Sequence, residues 1–275
     1  MIRAVLANLI ITWTMLAQGS YLSRYNIGDK QAQQFRVPPE VSEISGLAMT
    51  SDGRLFCHDD ESGIVYQLDH KSGKIVKRFS LGSGFLKEDF EGIAIKNDTF
   101  FLVASNGNIF EFHEGADRGR VTFIHHRTSL TARNDVEGLE YDPETNCLLL
   151  ACKGYRGKGH ERFKAVYAFS LARRKLLSKP RFLIPIEVVK KKSRRGQFNP
   201  SGIAKHPLSG TFFIISADGE SIIEINKDGK LLDQAVIPGK VNRQPEGIAF
   251  AADGTMFIAN DGQGGSGTLT VYPMK

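Results

Sequence analysis

Cysteine and tryptophan are scarce in this chain, with three of the former and one of the latter among 275 residues. Three thiols make no disulfide framework of the kind that staples small secreted domains. Cys147 and Cys152 stand five positions apart in one apolar run. In an extended strand they would face opposite sides, roughly 16–17 Å apart, beyond the reach of a disulfide. All three thiols read as small core residues.

Long apolar runs are missing except at the N-terminus, where basic Met1-Ile2-Arg3 precedes apolar Ala4–Ala17 and the small-x-small triplet Ala17-Gln18-Gly19. That is the pattern of a cleaved export signal, and it falls short of the ~20 residues of a membrane span. Extension to Leu22 leaves a retained anchor open, and no cysteine follows to take a lipid. The expected division is an export signal or anchor over 1–22, a linker over 23–32 and one folded domain over 33–275. All-β rings of this length are commonly single domains. The expected location is the periplasm or cell envelope. Missing too is any Ser-His-Asp series or nucleophile elbow.

Positive charge is concentrated rather than spread. The formal net charge is +6, and Lys190-Lys191-Lys192-Ser193-Arg194-Arg195, with Arg173 and Arg174, carries most of it. No aromatic residue interleaves with these charges, so a stacking surface for nucleic acid is not supported. A solvated loop and a contact with an anionic membrane surface are the two readings left.

What is present is a repeat. Glu43-Ile44-Ser45-Gly46-Leu47-Ala48, Asp89-Phe90-Glu91-Gly92-Ile93-Ala94, Asp135-Val136-Glu137-Gly138-Leu139, Asn199-Pro200-Ser201-Gly202-Ile203-Ala204 and Gln244-Pro245-Glu246-Gly247-Ile248-Ala249 share one form. Their glycines fall at intervals of 46, 46, 64 and 45, which is the period of β-propeller blades. Within each unit, short β-rich runs are separated by Asp-Gly, Asn-Gly or Ser-Gly, the signature of tight hairpins. A fourth run follows in most units, at Lys74–Leu81, Val121–His125, Arg181–Ile186 and Leu231–Ile237. The long interval is absorbed by insertions at Lys153–Lys164 and Val188–Gln197, so five blades are counted. A sixth, degenerate blade near 175–200 is the alternative. The last unit lacks an outer strand, which Gln33–Val37 can supply. The fold expected is an all-β, five-bladed propeller closed by its own ends.

In a propeller the first strand of each blade lines the central channel, and residues two apart share a face. Glu43/Ser45, Asp89/Glu91, Asp135/Glu137, Asn199/Ser201 and Gln244/Glu246 would then form two stacked oxygen rings at one mouth. Loops at the same face add Asp59, Asp60 and Glu61, and Asn260 and Asp261. Six of the ten ring positions are carboxylates. Two such charges ~4 Å apart repel by about 4 kcal/mol at an effective dielectric near 20. Either protons stay on or a cation sits among them. An all-oxygen donor set suits Ca²⁺. The bland alternative is that each carboxylate caps its own tight turn. The ligands expected are Glu43, Glu91, Glu137, Glu246, Asp60 and Asp261, with Asp89, Asp135, Ser45, Ser201, Asn199 and Asn260 as secondary candidates.

The stretches "EISGLAMTSDGRLFCHDDESGIVYQLD", "DFEGIAI", "DVEGLEYD", "NPSGIAKHP" and "QPEGIAFAADGTMFIANDG", behind an export segment, resemble the SdiA-regulated (YjiK-like) family. The likeness spans roughly residues 33–272. It implies a five-bladed propeller with a bound calcium ion, distantly related to NHL-repeat proteins, and it brings no established reaction. A non-enzymatic envelope module with an unidentified protein or small-molecule ligand at the channel mouth is the leading expectation. A calcium-dependent hydrolase (lactonase, esterase or phytase-like) is the alternative, with His58 or His160 as base and Lys153 and Arg156 as anion-holding groups.

Overall fold

The computed structural model describes residues 19–29, 31–84, 86–154 and 158–275. The export segment through residue 18 and Arg156 lie outside the described residues. No described helix is long and apolar enough to cross a membrane.

Five antiparallel sheets stand around a channel. Blade 1 holds Ile44–Met49, Leu55–Asp59, Ile64–Leu68 and Ile75–Leu81, and blade 2 holds Phe90–Lys96, Thr99–Ala104, Ile109–His113 and Phe123–His126. In blade 3, Val136–Asp142, Cys147–Cys152 and Phe163–Ser170 are followed by two short pieces, Lys175–Leu176 and Phe182–Pro185, both paired to the third strand. Blade 4 holds Gly202–Lys205, Phe212–Ser216, Ser221–Ile225 and Leu231–Val236. Blade 5 takes Pro245–Phe250, Met256–Asn260 and Thr268–Tyr272 from the C-terminal end. Its outer strand is Gln33–Arg36, antiparallel to Thr268–Tyr272 with Gln33 opposite Val271 and Arg36 opposite Thr268. The ring is closed by its ends, five blades are present, and no sixth blade forms near 175–200. One run is reassigned. Arg120–Val121 pairs parallel to Ile75–Leu81 at the edge of blade 1, and the outer strand of blade 2 starts only at Phe123.

Two backbone requirements explain the repeat. Each inner hairpin turns through one residue of positive φ: Gly53 (84°), Asn97 (53°), Asn146 (51°), Gly210 (68°) and Gly254 (88°). Glycine and asparagine are the residues that enter this region at least cost. The motif glycines serve close approach instead. A Cβ on Gly92 would stand 2.8 Å from the Leu139 nitrogen, and one on Gly202 2.8 Å from the Glu246 oxygen. A Cβ on Gly247 would stand 3.0 Å from the Leu47 nitrogen. Each motif glycine lets the next blade's inner strand come close.

The apolar core is divided into five clusters, one between each pair of neighbouring blades. Cys152 belongs to the cluster between blades 2 and 3 and Cys147 to that between blades 3 and 4, so the two thiols do face opposite sides of one strand. All three cysteines are buried and free.

Part of the expected linker is packed on the ring. Tyr25 and Ile27, together with Leu22 from the end of the expected export segment, are buried in the cluster between blades 4 and 5. Tyr25 donates its hydroxyl hydrogen to the Gly254 carbonyl (2.6 Å) and lies 2.8 Å from His206 Nε2. The basic run is partly committed. Arg194 and Arg195 both pair with buried Glu220, at 2.8 and 2.7 Å, and Lys190 pairs with Glu187 at 2.8 Å.

Candidate functional site

The carboxylates that precede the motif glycines are presented by β-bulges. In blade 2, Phe90 opposes Ala104 and Gly92 opposes Val103, so Glu91 is an extra residue with no partner of its own. The same break isolates Ser45, Glu137 and Glu246. In blade 4 the Ser201 N–H donates to the Ile215 carbonyl, the residue that also opposes Gly202. A bulge redirects one side chain while leaving the strand paired on either side. In blades 1, 2, 3 and 5 it turns that residue toward the channel, whereas Ser201 of blade 4 does not line the space.

The result is a narrow space at the top of the channel lined by Ser45, Glu91, Glu137 and Glu246, with the motif glycines and the residues after them. Its volume is about 10 Å³, room for one water-sized particle. The expected second ring does not share it. Glu43, Asp89, Asp135, Asn199 and Gln244 are absent from its lining, and Glu43 and Asp89 are exposed. Strict alternation across the motif fails because the bulge inserts a residue.

Crowding sets the electrostatics. Burial, then Glu137, Asp89 and Glu246, drive the Glu91 carboxyl far above the usual carboxylate range. Glu137 is raised by burial, against the opposing pull of Lys153. Glu246 is pushed up to about 8 by burial and Glu137, with the Gln244 amide and Lys153 working the other way. Lys153, expected at the mouth as an anion-holding group, instead faces a ring carboxylate. Its Nζ lies 3.1 Å from Glu137 Oε1. Burial disfavours its charge, yet Glu137 carries its pKa upward. Lys164 in turn donates to the Lys153 carbonyl at 2.5 Å. Lys153 thus acts as a counter-ion within the carboxylate ring.

The remaining candidates divide. Asp60 sits where Glu43 and Asp261 are felt, and burial followed by Glu43 raises it to about 6. Its Oδ1 is buried without a hydrogen-bond partner. Asp89 hydrogen-bonds Glu91. Asp135 holds a left-handed backbone (φ 55°), and its carbonyl accepts the Lys153 N–H at 2.7 Å. Others are spent on the scaffold. Ser201 Oγ donates to the Pro245 carbonyl at 2.6 Å and accepts the Ala217 N–H at 3.1 Å. Asn199 Nδ2 donates to Asp218 at 2.9 Å. Asn260 is buried inside blade 5, its amide donating to Asn242 at 3.1 Å, and so does not join the ring. Asp59 accepts the Glu61 and Ser62 N–H groups at 3.1 and 2.9 Å, which caps its own turn. His58 is fully buried between blades 1 and 2, and burial lowers its pKa to about 4. Its Nε2 stands behind Gly46 without a hydrogen-bond partner, and the imidazole does not line the space at the mouth.

Among the described residues, no three His, Cys, Asp or Glu side chains are already disposed as a metal cage. The donor chemistry still fits a hard cation. Three carboxyls and a hydroxyl face one atom-sized space, and a cationic side chain is drawn to its edge. A divalent ion there would be held by Glu91, Glu137 and Glu246, with Lys153 displaced.

No family model and no curated protein matches the chain. Among solved structures it is similar to the glutaminyl cyclase of Myxococcus xanthus, at 16% identity over 88% of this chain and 94% of that one, with a TM-score of 0.57. It is also similar to the PQQ-bound aldose sugar dehydrogenase of Streptomyces coelicolor, at 12% identity over 90% and 99% of the two chains, with a TM-score of 0.52. At such identities the likeness is one of fold and transfers no reaction. The chain is a five-bladed β-propeller.

Proposed function

We propose that the protein is an exported, calcium-binding propeller of the SdiA-regulated kind, and that it serves the cell envelope as a binding module rather than as an enzyme. The observation that carries the reading is the convergence of Glu91, Glu137 and Glu246, each on its own bulge, around a space of about 10 Å³. Three crowded carboxyls, Glu137 buried and Glu91 and Glu246 half-buried, cost stability unless protons or a cation neutralise them. Lys153 supplies one positive charge, and a divalent ion would supply two. Exposed Lys191 and Lys192 of the basic loop give the same module a contact for anionic lipid.

Calcium binding to the folded ring should raise stability by about 2.7 kcal/mol at 100 times Kd. The test is the melting temperature in millimolar calcium against chelator. Glu91→Gln and Glu137→Gln should each blunt the rise, and Lys153→Met should enlarge it by removing the competing cation. Glu40→Gln, on an exposed residue, should leave it unchanged. An identical melting curve with and without calcium in both the parent and Lys153→Met would refute the metal reading. Calcium-dependent hydrolysis of lactones, aryl esters or inositol phosphates, lost in Glu137→Gln, would make the mouth an active site instead.

A further inference from the structure

The top of the channel has room for an ion and nothing larger, but the opposite mouth opens into a cavity of about 560 Å³. That is within the ~300–1,000 Å³ range of sites for small organic molecules. A recess of about 90 Å³ continues from it up the channel, and the two share Met49, Ile95, Glu140, Lys205 and Phe250.

The recess is built from one layer of the ring. Two residues after each motif glycine stand Ala48, Ala94, Glu140, Ala204 and Ala249. All four alanines are buried, and Glu140 is the single larger, charged member. Four small side chains make the space, and one carboxyl is left in it. Glu140 accepts hydrogen bonds from the Lys205 and Tyr141 N–H groups. Burial holds its carboxyl near 8, above the usual range, so the site favours a positive partner over a bare carboxylate.

The rim carries two lysines with different commitments. Lys205 Nζ is bound to Asp142 at 2.6 Å and Glu144 at 2.9 Å. Lys96 Nζ donates to the neutral Asn146 amide oxygen at 2.9 Å and lies 5.6 Å from the Tyr141 ring centroid. Among the described residues Lys96 makes no ion pair. Beside the inner carboxyl and this cation the cavity presents the apolar side chains of Met49, Ile95 and Phe250, along with Lys205 and Tyr141.

We propose that this lower mouth binds a small zwitterion with an apolar side chain, of the amino-acid or short-peptide class. The ammonium meets Glu140, the carboxylate meets Lys96, and the side chain lies against Met49, Ile95 and Phe250. The assignment is independent of calcium, because the two ends of the channel are lined by different residues.

The experiment is calorimetric titration of the full-length protein in chelator with four probes. L-Phenylalanine and L-leucyl-L-leucine are zwitterions, phenethylamine keeps only the ammonium, and 3-phenylpropionate keeps only the carboxylate. At least one zwitterion should bind, phenethylamine more weakly, and 3-phenylpropionate not measurably. Glu140→Gln should weaken the bound zwitterion at least tenfold, and Lys96→Met should bring its affinity down to that of the amine. Resonances of the Ala48, Ala94, Ala204 and Ala249 methyls report on the recess directly and should shift on binding. Three outcomes would overturn the assignment. They are no binding of either zwitterion at 10 mM, equal binding of the acid or the amine alone, or unchanged affinity in a folded Glu140→Gln variant.

Discussion

Glu224 offers the sharpest test of how the N-terminal segment is held. It is a fully buried carboxylate on the third strand of blade 4, and most of its partners come from the other end of the chain. Its Oε2 accepts the Ser20 hydroxyl at 2.8 Å, the Tyr21 N–H at 2.8 Å and the Leu22 N–H at 2.9 Å. Its Oε1 accepts Thr211 Oγ1 at 2.7 Å. Hydrogen bonds to a charged group contribute about 1.5–3 kcal/mol each. In Glu224→Ala, Ser20 keeps its bond to Asp233 (2.9 Å) and Thr211 its bond to Ser209 (2.6 Å). The Leu22 N–H keeps Ser20 Oγ at 3.1 Å, so the loss falls mainly on the Tyr21 amide, at about 2–3 kcal/mol in all. At about 2–4 °C per kcal/mol for a domain of this size, Tm should drop by roughly 4–12 °C. Glu224→Gln keeps one carbonyl oxygen in place and should cost about 1–2 kcal/mol. The assay is calorimetry of both variants, repeated in a chain that starts at Gly28. There the substitution should cost at least 2 kcal/mol less, because no strap remains to be orphaned. A drop in Tm below 2 °C, or an equal cost in both chains, would show that residues 20–27 do not dock on Glu224 in solution.

Two other perturbations test the ring itself. The Glu246 carboxyl titrates at 4.5 in the unfolded chain and at about 8 in the fold, so the folded state holds the extra proton and stability falls as pH rises across that window. In chelator, Glu246→Gln should be more stable than the parent at pH 8 and lose that advantage near pH 4.5 in urea titrations, and calcium should shrink the difference; equal stability at both pH values would be the contrary result. Gly92→Ala puts a methyl 2.8 Å from the Leu139 nitrogen, an overpacking of backbone that should cost about 1–3 kcal/mol, whereas Gly28→Ala meets nothing within 4 Å and should leave Tm within about 1 °C of the parent.

The architecture was legible because its determinants are local and repeated. Hairpin residues such as Asn97 and Gly254 advertise their own backbone conformation, and few architectures besides a propeller repeat short strands at a period of blade length. Closure could be read from a missing strand at one end and a spare one at the other. What could not be read was anything that depends on register or on distant contacts. Val121 looks like the start of a strand in blade 2 but pairs with blade 1, a choice between edges that only the assembled ring decides. Tyr25 and Ile27 look like linker because nothing in residues 23–32 shows the groove that receives them. The bulges break the alternation on which the second oxygen ring rested, and no turn residue marks a bulge in advance. Lys153 sat in a charged insertion that reads as solvated, and its approach to Glu137 emerges only once the loop is folded over the mouth.

The bulges also answer why the chain places a carboxylate before the motif glycine. The glycine is required by packing, since the neighbouring inner strand leaves no room for a Cβ. The residue before it is the one the bulge frees from pairing, so outside blade 4, where Ser201 bridges Pro245 and Ala217, its side chain is not needed to hold either strand. Packing thus fixes one position of the motif and releases the adjacent one. A residue released from the scaffold can be chosen for chemistry, and in three of five blades the choice is glutamate, with serine in the other two. Were the motif only structural, the freed position would be expected to carry small or neutral residues throughout, because three crowded carboxyls around so small a space oppose folding. The proposed cation would answer that cost, and Lys153 already brings one positive charge to Glu137.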